Sequence, residues 1–131
     1  MLDLFFVFEY MHTRSTPVYY LDLKPEHIII RDVGVGLVDF GASVAGGAMP
    51  RFRQATKRFA APELLKCGHF AYDATADIFG LGRTMLFLSQ NVSMDDSDEL
   101  MKIITKACRF DPALRYQCVA DMRQDFVRLI T

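Results

Sequence analysis

No stretch of this 131-residue chain is long and apolar enough to span a bilayer. The opening run Leu4-Phe5-Phe6-Val7-Phe8 falls far short of the ~20 residues a spanning helix requires. No basic leader precedes it, so a signal peptide is not expected. Neither sign of charge dominates, since 15 Lys and Arg face 16 Asp and Glu for a net charge of −1. Electrostatics therefore gives no case for nucleic acid or an anionic membrane as partner. Cysteine is scarce, odd in number and without Cys-x-x-Cys spacing: Cys67, Cys108 and Cys118. The cysteines thus read not as a disulfide frame or a cysteine zinc site but as reduced, mostly buried thiols in a cytoplasmic protein. At 51% apolar and 24% charged residues the composition is globular, not disordered. The length suits one domain, residues 1–131, around a single core.

Two short stretches organise what is present: Tyr20-Leu21-Asp22-Leu23-Lys24-Pro25-Glu26-His27 and Val38-Asp39-Phe40-Gly41. Between them, Ile28-Ile29-Ile30 and Val35-Gly36-Leu37-Val38 flank a turn at Asp32-Val33-Gly34, which is a β-hairpin pattern. One carboxylate precedes the first strand and another follows the second. Two acids so placed can serve different roles, one toward a proton and one toward a metal ion.

This pair resembles the catalytic loop and the Asp-Phe-Gly metal site of eukaryotic-type protein kinases. Of the family's His-Arg-Asp-Leu-x-x-x-Asn pattern the chain keeps Asp22 and Leu23, with Tyr20, Leu21 and His27 at the other positions. Lys24-Pro25-Glu26 is similar to the Ser/Thr-specific branch. The resemblance implies that Asp22 accepts or orients the substrate hydroxyl's proton and Lys24 balances phosphoryl charge. Asp39 then binds the metal of MgATP, with Mn²⁺ as the alternative ion. Tyr20 stands where a histidine packs on the Asp-Phe-Gly phenylalanine, here Phe40, and an aromatic ring can replace that packing. Leu21 replaces an arginine that receives activation-loop phosphate, so activation by loop phosphorylation is not expected.

His27 departs most from the pattern. Asparagine there supplies a hard oxygen ligand, whereas imidazole nitrogen favours zinc, copper, iron or nickel over magnesium. The readings that stay open are a single-metal site held by Asp39 alone, a site of altered metal preference that includes His27, or the loss of the second metal and with it most phosphotransfer.

From Asp39-Phe40-Gly41 to Ala61-Pro62-Glu63 the chain resembles a kinase activation segment. Thr56 would bridge Asp22 and Lys24. Arg51, Arg53, Lys57 and Arg58 attract acidic substrates or form a solvated loop, the latter being the more ordinary outcome. Leu4, Val7, Phe8 and Met11 predict a first helix, with His12 near its C-terminus facing the helix dipole. Ile78, Leu81, Met85 and Leu88 predict a second long helix, interrupted by Gly80 and Gly82, each needing a packing reason. Asp77 in Asp77-Ile78-Phe79-Gly80-Leu81-Gly82 resembles the family aspartate that accepts backbone N–H bonds from the catalytic loop. Asn91 to Asp98 reads as a short polar connection without an extra docking helix. Leu100, Ile103, Ile104, Ala107 and Cys108 give a third helical face. Val119, Met122, Phe126, Leu129 and Ile130 give a last one. Asp111-Pro112-Ala113-Leu114-Arg115 implies a buried Arg115–Glu63 salt bridge.

The expected fold is thus mainly α with a small β-hairpin, the large lobe of a protein kinase. A whole kinase domain runs to ~250 residues. The expectation is that the small lobe is absent, since no glycine-rich phosphate loop or Val-Ala-Ile-Lys strand occurs. The expected activity is ATP-dependent Ser/Thr phosphotransfer, feeble in this lobe alone, with a protein substrate. The alternative is a degenerate kinase lobe that binds a protein partner, or a small lobe supplied in trans, through an uncovered apolar face.

Overall fold

The computed structural model of the chain describes residues 1–46, 58–65, 72–90 and 97–131. Within them run α1 (Leu2–His12), β1 (Val18–Tyr19), β2 (Ile28–Arg31), β3 (Gly34–Leu37), β4 (Val44–Ala45), α2 (Ala74–Ser89), α3 (Ser97–Ala107) and α4 (Val119–Ile130). Short 3₁₀ turns lie at Pro25–His27, Pro62–Leu65 and Pro112–Leu114. The fold is mainly α, but it holds two small antiparallel sheets where one hairpin is expected. β2 pairs with β3, and β1 pairs with β4 through Val18↔Ala45 and Tyr19↔Val44. The second ribbon is invisible to sequence pattern because two residues per strand carry no periodicity.

In the hairpin, Arg31 pairs with Gly34, so the turn is Asp32-Val33 and glycine belongs to the strand. Gly34 sits at φ +98, which a side chain would strain.

Helices α1, α2, α3 and α4 share one core with Tyr20 and Leu23, built from Leu4, Phe5, Phe8, Ile78, Leu81, Met85, Ile103, Ile104 and Met122. Phe5 and Phe126 meet with ring centroids 5.4 Å apart, and Glu9 on α1 takes an N–H from Arg123 on α4 at 2.8 Å. The stripes predicted from spacing hold at most positions and fail at Val7 in the middle of α1 and in the last turns of α2 and α4. Val7 only borders the core, its place taken by Phe5, while Leu88 and Ile130 are exposed in the last turns of α2 and α4. A terminal turn has no neighbouring element beyond it to cover its apolar side. Cys118 is exposed, against the expectation of a buried thiol, because it caps α4 from outside. Cys108 is partly buried, and burial lifts its thiol pKa to about 11. Cys67 and the Asn91–Asp96 connection lie outside the described residues.

α2 starts at an Asp73 cap whose carboxylate accepts the Thr75 N–H at 2.9 Å. Its two glycines have different reasons. A Cβ on Gly82 would stand 2.7 Å from Cys108 Sγ and 2.8 Å from Ala107 Cβ, so glycine lets α3 approach. A Cβ on Gly80 would meet Leu23 Cβ at 3.4 Å and the Phe59 carbonyl oxygen at 3.9 Å, with no closer contact. Gly82→Ala should therefore cost about 1–3 kcal/mol from overpacking despite the better helix propensity of alanine. Gly80→Ala should stay within about 1 kcal/mol of the parent, because propensity and a slight crowding nearly offset. Urea unfolding of the two variants checks this, and equal losses would refute it.

Candidate active site

The backbone from Tyr20 to Asp22 is held from beneath. Asp77, buried in the first turn of α2, takes the Tyr20 N–H on Oδ2 at 2.9 Å and the Leu21 N–H on Oδ1 at 2.7 Å. Its Oδ2 also meets His12 Nε2 at 2.7 Å. A buried carboxylate needs partners for its lone pairs, and three donors supply them. Asp77 thus does what the resemblance implies. His12 does more than face a helix dipole: it ends α1 against this carboxylate, a contact no spacing rule connects to residue 77.

The clamp holds Leu21 at φ +65, a left-handed conformation that ordinary side chains avoid by about 1–2 kcal/mol. The kink sends the Leu21 side chain into a second apolar cluster with Val44, Ala61, Leu64 and Ala76. The following Asp22 lies beside His27, just before β2. Tyr20 is fully buried, its ring edge-on to Phe8, His27 and Phe40, with the Phe40 centroid 5.1 Å away. Its hydroxyl donates to the Val38 carbonyl, fastening the first motif to the second. Burial, then the charges of Asp22 and Asp39, hold that phenol well above its ordinary pKa.

His27 lies between the two acids. Its Nδ1 is 2.8 Å from the Asp22 carbonyl oxygen and 3.8 Å from Asp22 Oδ2, while Nε2 is 3.6 Å from Asp39 Oδ2. Residues 22 and 39 therefore share one cleft. Their exposure differs: the Asp22 side chain is 9% accessible and that of Asp39 59%. Asp39 has φ +63, and its Oδ1 accepts the Gly41 N–H at 3.2 Å, leaving Oδ2 to face His27. Phe40 is half exposed on its outer side. Lys24 flanks Asp22 and lowers its pKa, as does His27, but burial outweighs both and the carboxyl is raised. Thr56, Arg51, Arg53 and Lys57 lie outside the described residues. Among the described residues no group of three or more His, Cys, Asp or Glu side chains is arranged to hold a metal ion.

Arg115 fastens the far end of the site. Its Nη1 and Nη2 donate to Glu63 Oε1 and Oε2 at 2.7 and 2.9 Å, the bidentate pair expected. Its remaining N–H groups reach the carbonyls of Thr75, Phe110 and Arg109 at 3.0, 3.1 and 2.7 Å.

Comparison with known proteins decides the family to which this arrangement belongs. The sequence pattern described as "Protein kinase domain" matches residues 1–94. The chain belongs to the protein kinase family. Relatives include a probable serine/threonine-protein kinase of Dictyostelium discoideum, 31% identical over 91 residues, covering 69% of this chain and 6% of that protein. A second Dictyostelium probable serine/threonine-protein kinase is 33% identical over 103 residues, 73% of this chain and 20% of its own. Beta-adrenergic receptor kinase 1 of Didelphis virginiana is 42% identical over 81 residues, 60% of this chain and 11% of its own. The kinase chain thus spans at most a fifth of these three relatives. Among the described residues no helix is long and apolar enough to cross a membrane.

The raised Asp22 carboxyl gives a pH signature. The folded chain binds this proton more tightly than the unfolded chain. Its contribution to stability therefore falls as pH rises from the ordinary carboxyl value of ~3.9 through the raised one. Carboxyl-carbon NMR should place Asp22 above ~3.9, and Lys24→Met should move it higher by removing a charge that lowers it. A titration at or below the ordinary value would contradict this account.

Proposed function

We propose that the chain is the large lobe of a Ser/Thr-type protein kinase and carries the proton-handling half of phosphotransfer from ATP to a protein hydroxyl. The observation that supports this most is the shared cleft of Asp22 and Asp39 around His27, seated on the Asp77 clamp. Asp22, nearly buried, orients the incoming hydroxyl and accepts its proton; a raised pKa makes it a better acceptor than an exposed carboxylate. Lys24 neutralises charge beside it, and Thr56 belongs with these two in the same role. Positioning supplies most of the rate in this reaction class, so the clamp matters as much as the acid. MgATP calls for hard oxygen donors around its metal ions. Asp39 is such a donor and His27 is not, so the pair does not fit two Mg²⁺ ions.

Tests start from radiolabelled ATP with the chain alone and with a separately supplied small lobe of a related kinase. Transfer by the chain alone should be at or near background, ATP binding should be weaker than micromolar, and the added lobe should raise transfer. Asp22→Asn should lower that transfer by on the order of 10²-fold or more. Transfer indifferent to Asp22 would overturn the assignment.

A second reading has its own support. Ile29, Ile30, Val33 and Phe40 are exposed along the hairpin and the Asp-Phe-Gly turn, with Ile30 84% and Val33 95% accessible. An apolar surface of this kind suits a protein partner, and the partner we favour is a small lobe supplied in trans. Ile30→Asp with Val33→Asp should weaken binding of that lobe on the order of tenfold or more by calorimetry, while Asp22→Asn leaves it intact. Binding without transfer would favour a degenerate kinase lobe acting as a binding module.

A further inference from the structure

The misfit between His27 and magnesium has a geometric side. The Asp22 carbonyl can only accept, so the Nδ1 that lies 2.8 Å from it carries the hydrogen. In the neutral ring Nε2 then bears a lone pair, and it faces Asp39 Oδ2 at 3.6 Å. That is too far for a hydrogen bond, and two electron-rich atoms turned toward one another invite a cation between them. The Gly41 N–H holds the other oxygen of Asp39, and the Asp22 carbonyl holds the other nitrogen of His27. Outer partners of this kind orient metal ligands and fix the imidazole tautomer.

The separation is also compatible with the wider ligand spacing of a tetrahedral ion. Adjacent ligands of an octahedral Mg²⁺, each at ~2.1 Å, stand about 3.0 Å apart. Two ligands of a tetrahedral ion at ~2.0–2.1 Å stand about 3.4 Å apart, nearer the separation found here. A nitrogen and a carboxylate oxygen are common zinc donors, and imidazole is a poor donor for magnesium. The exposed side of Asp39 gives an ion a way in.

We propose that His27 Nε2 and Asp39 Oδ2 form a two-donor site for a borderline divalent ion of the zinc type, completed by water or a substrate oxygen, in preference to Mg²⁺. The inference rests on the reading of Asp22, His27 and Asp39 as one site, but its readout is independent of phosphotransfer.

The test is calorimetric titration of the chain with Zn²⁺ and with Mg²⁺, in the absence of nucleotide, with Cys67→Ser and Cys118→Ser present to remove thiol binding. One equivalent of Zn²⁺ should bind through this site, and Mg²⁺ should bind far more weakly. His27→Asn and Asp39→Asn should each lose on the order of tenfold or more in Zn²⁺ affinity. Circular dichroism on each variant separates lost ligation from lost folding, and His27→Gln serves if His27→Asn does not fold. Co²⁺ adds a spectroscopic signature: an intense visible band of four-coordinate cobalt in the parent, absent in His27→Asn. Equal Zn²⁺ affinity in parent and both variants, or a weak six-coordinate cobalt spectrum in the parent, would overturn the proposal. Zinc binding with no phosphotransfer even when the small lobe is supplied would uphold it while sinking the enzymatic reading.

Discussion

A single buried carboxylate carries the organisation of this kinase chain. Asp77 has almost no solvent to satisfy it, and its three donors come from the end of α1 and from the successive backbone amides of Tyr20 and Leu21. An ionised group in such a place is costly unless every lone pair is met, which makes the arrangement nearly all-or-none. With all three contacts made, the helix end, the loop and α2 share one geometry. The left-handed Leu21 is the visible cost, and the placement of Asp22 is the return. The same residue therefore belongs to stability and to the site.

Above that clamp, Tyr20 does with an aromatic ring what the family pattern does with an imidazole, and adds a hydroxyl. The ring packs on Phe40 as histidine would, but its hydroxyl reaches the Val38 carbonyl at the end of the hairpin. The two acidic motifs are thus tied through packing and through a backbone acceptor. Imidazole is present nearby, but displaced along the chain to His27 and turned toward both acids. Its role in the cleft is set by which nitrogen meets the Asp22 carbonyl.

Much of this was legible in the sequence where residue type and position act together. The Arg115–Glu63 pair, the Asp77 bonds and the Tyr20–Phe40 packing follow from motif resemblance, because each needs one functional group at one place. The hairpin followed from two apolar runs flanking a turn, though the strand boundary at Gly34 did not. What escaped was contact between short or distant pieces. The β1–β4 ribbon has too few residues to show a period. His12 meets a carboxylate 65 positions away, and local spacing is blind to that. Apolar stripes overshot at Leu88 and Ile130 because periodicity marks a helix face and says nothing about where its cover ends.

The way Arg115 is used has a consequence for what this position tolerates. A guanidinium carries five N–H groups in one plane, and here all five have acceptors: two carboxylate oxygens and three carbonyls. Lysine would keep the charge but brings only three hydrogens on a tetrahedral nitrogen, so it would strand carbonyls that now have donors. The residue is fixed by its valence and shape, and a swap that looks conservative on paper would be felt here as a loss of architecture.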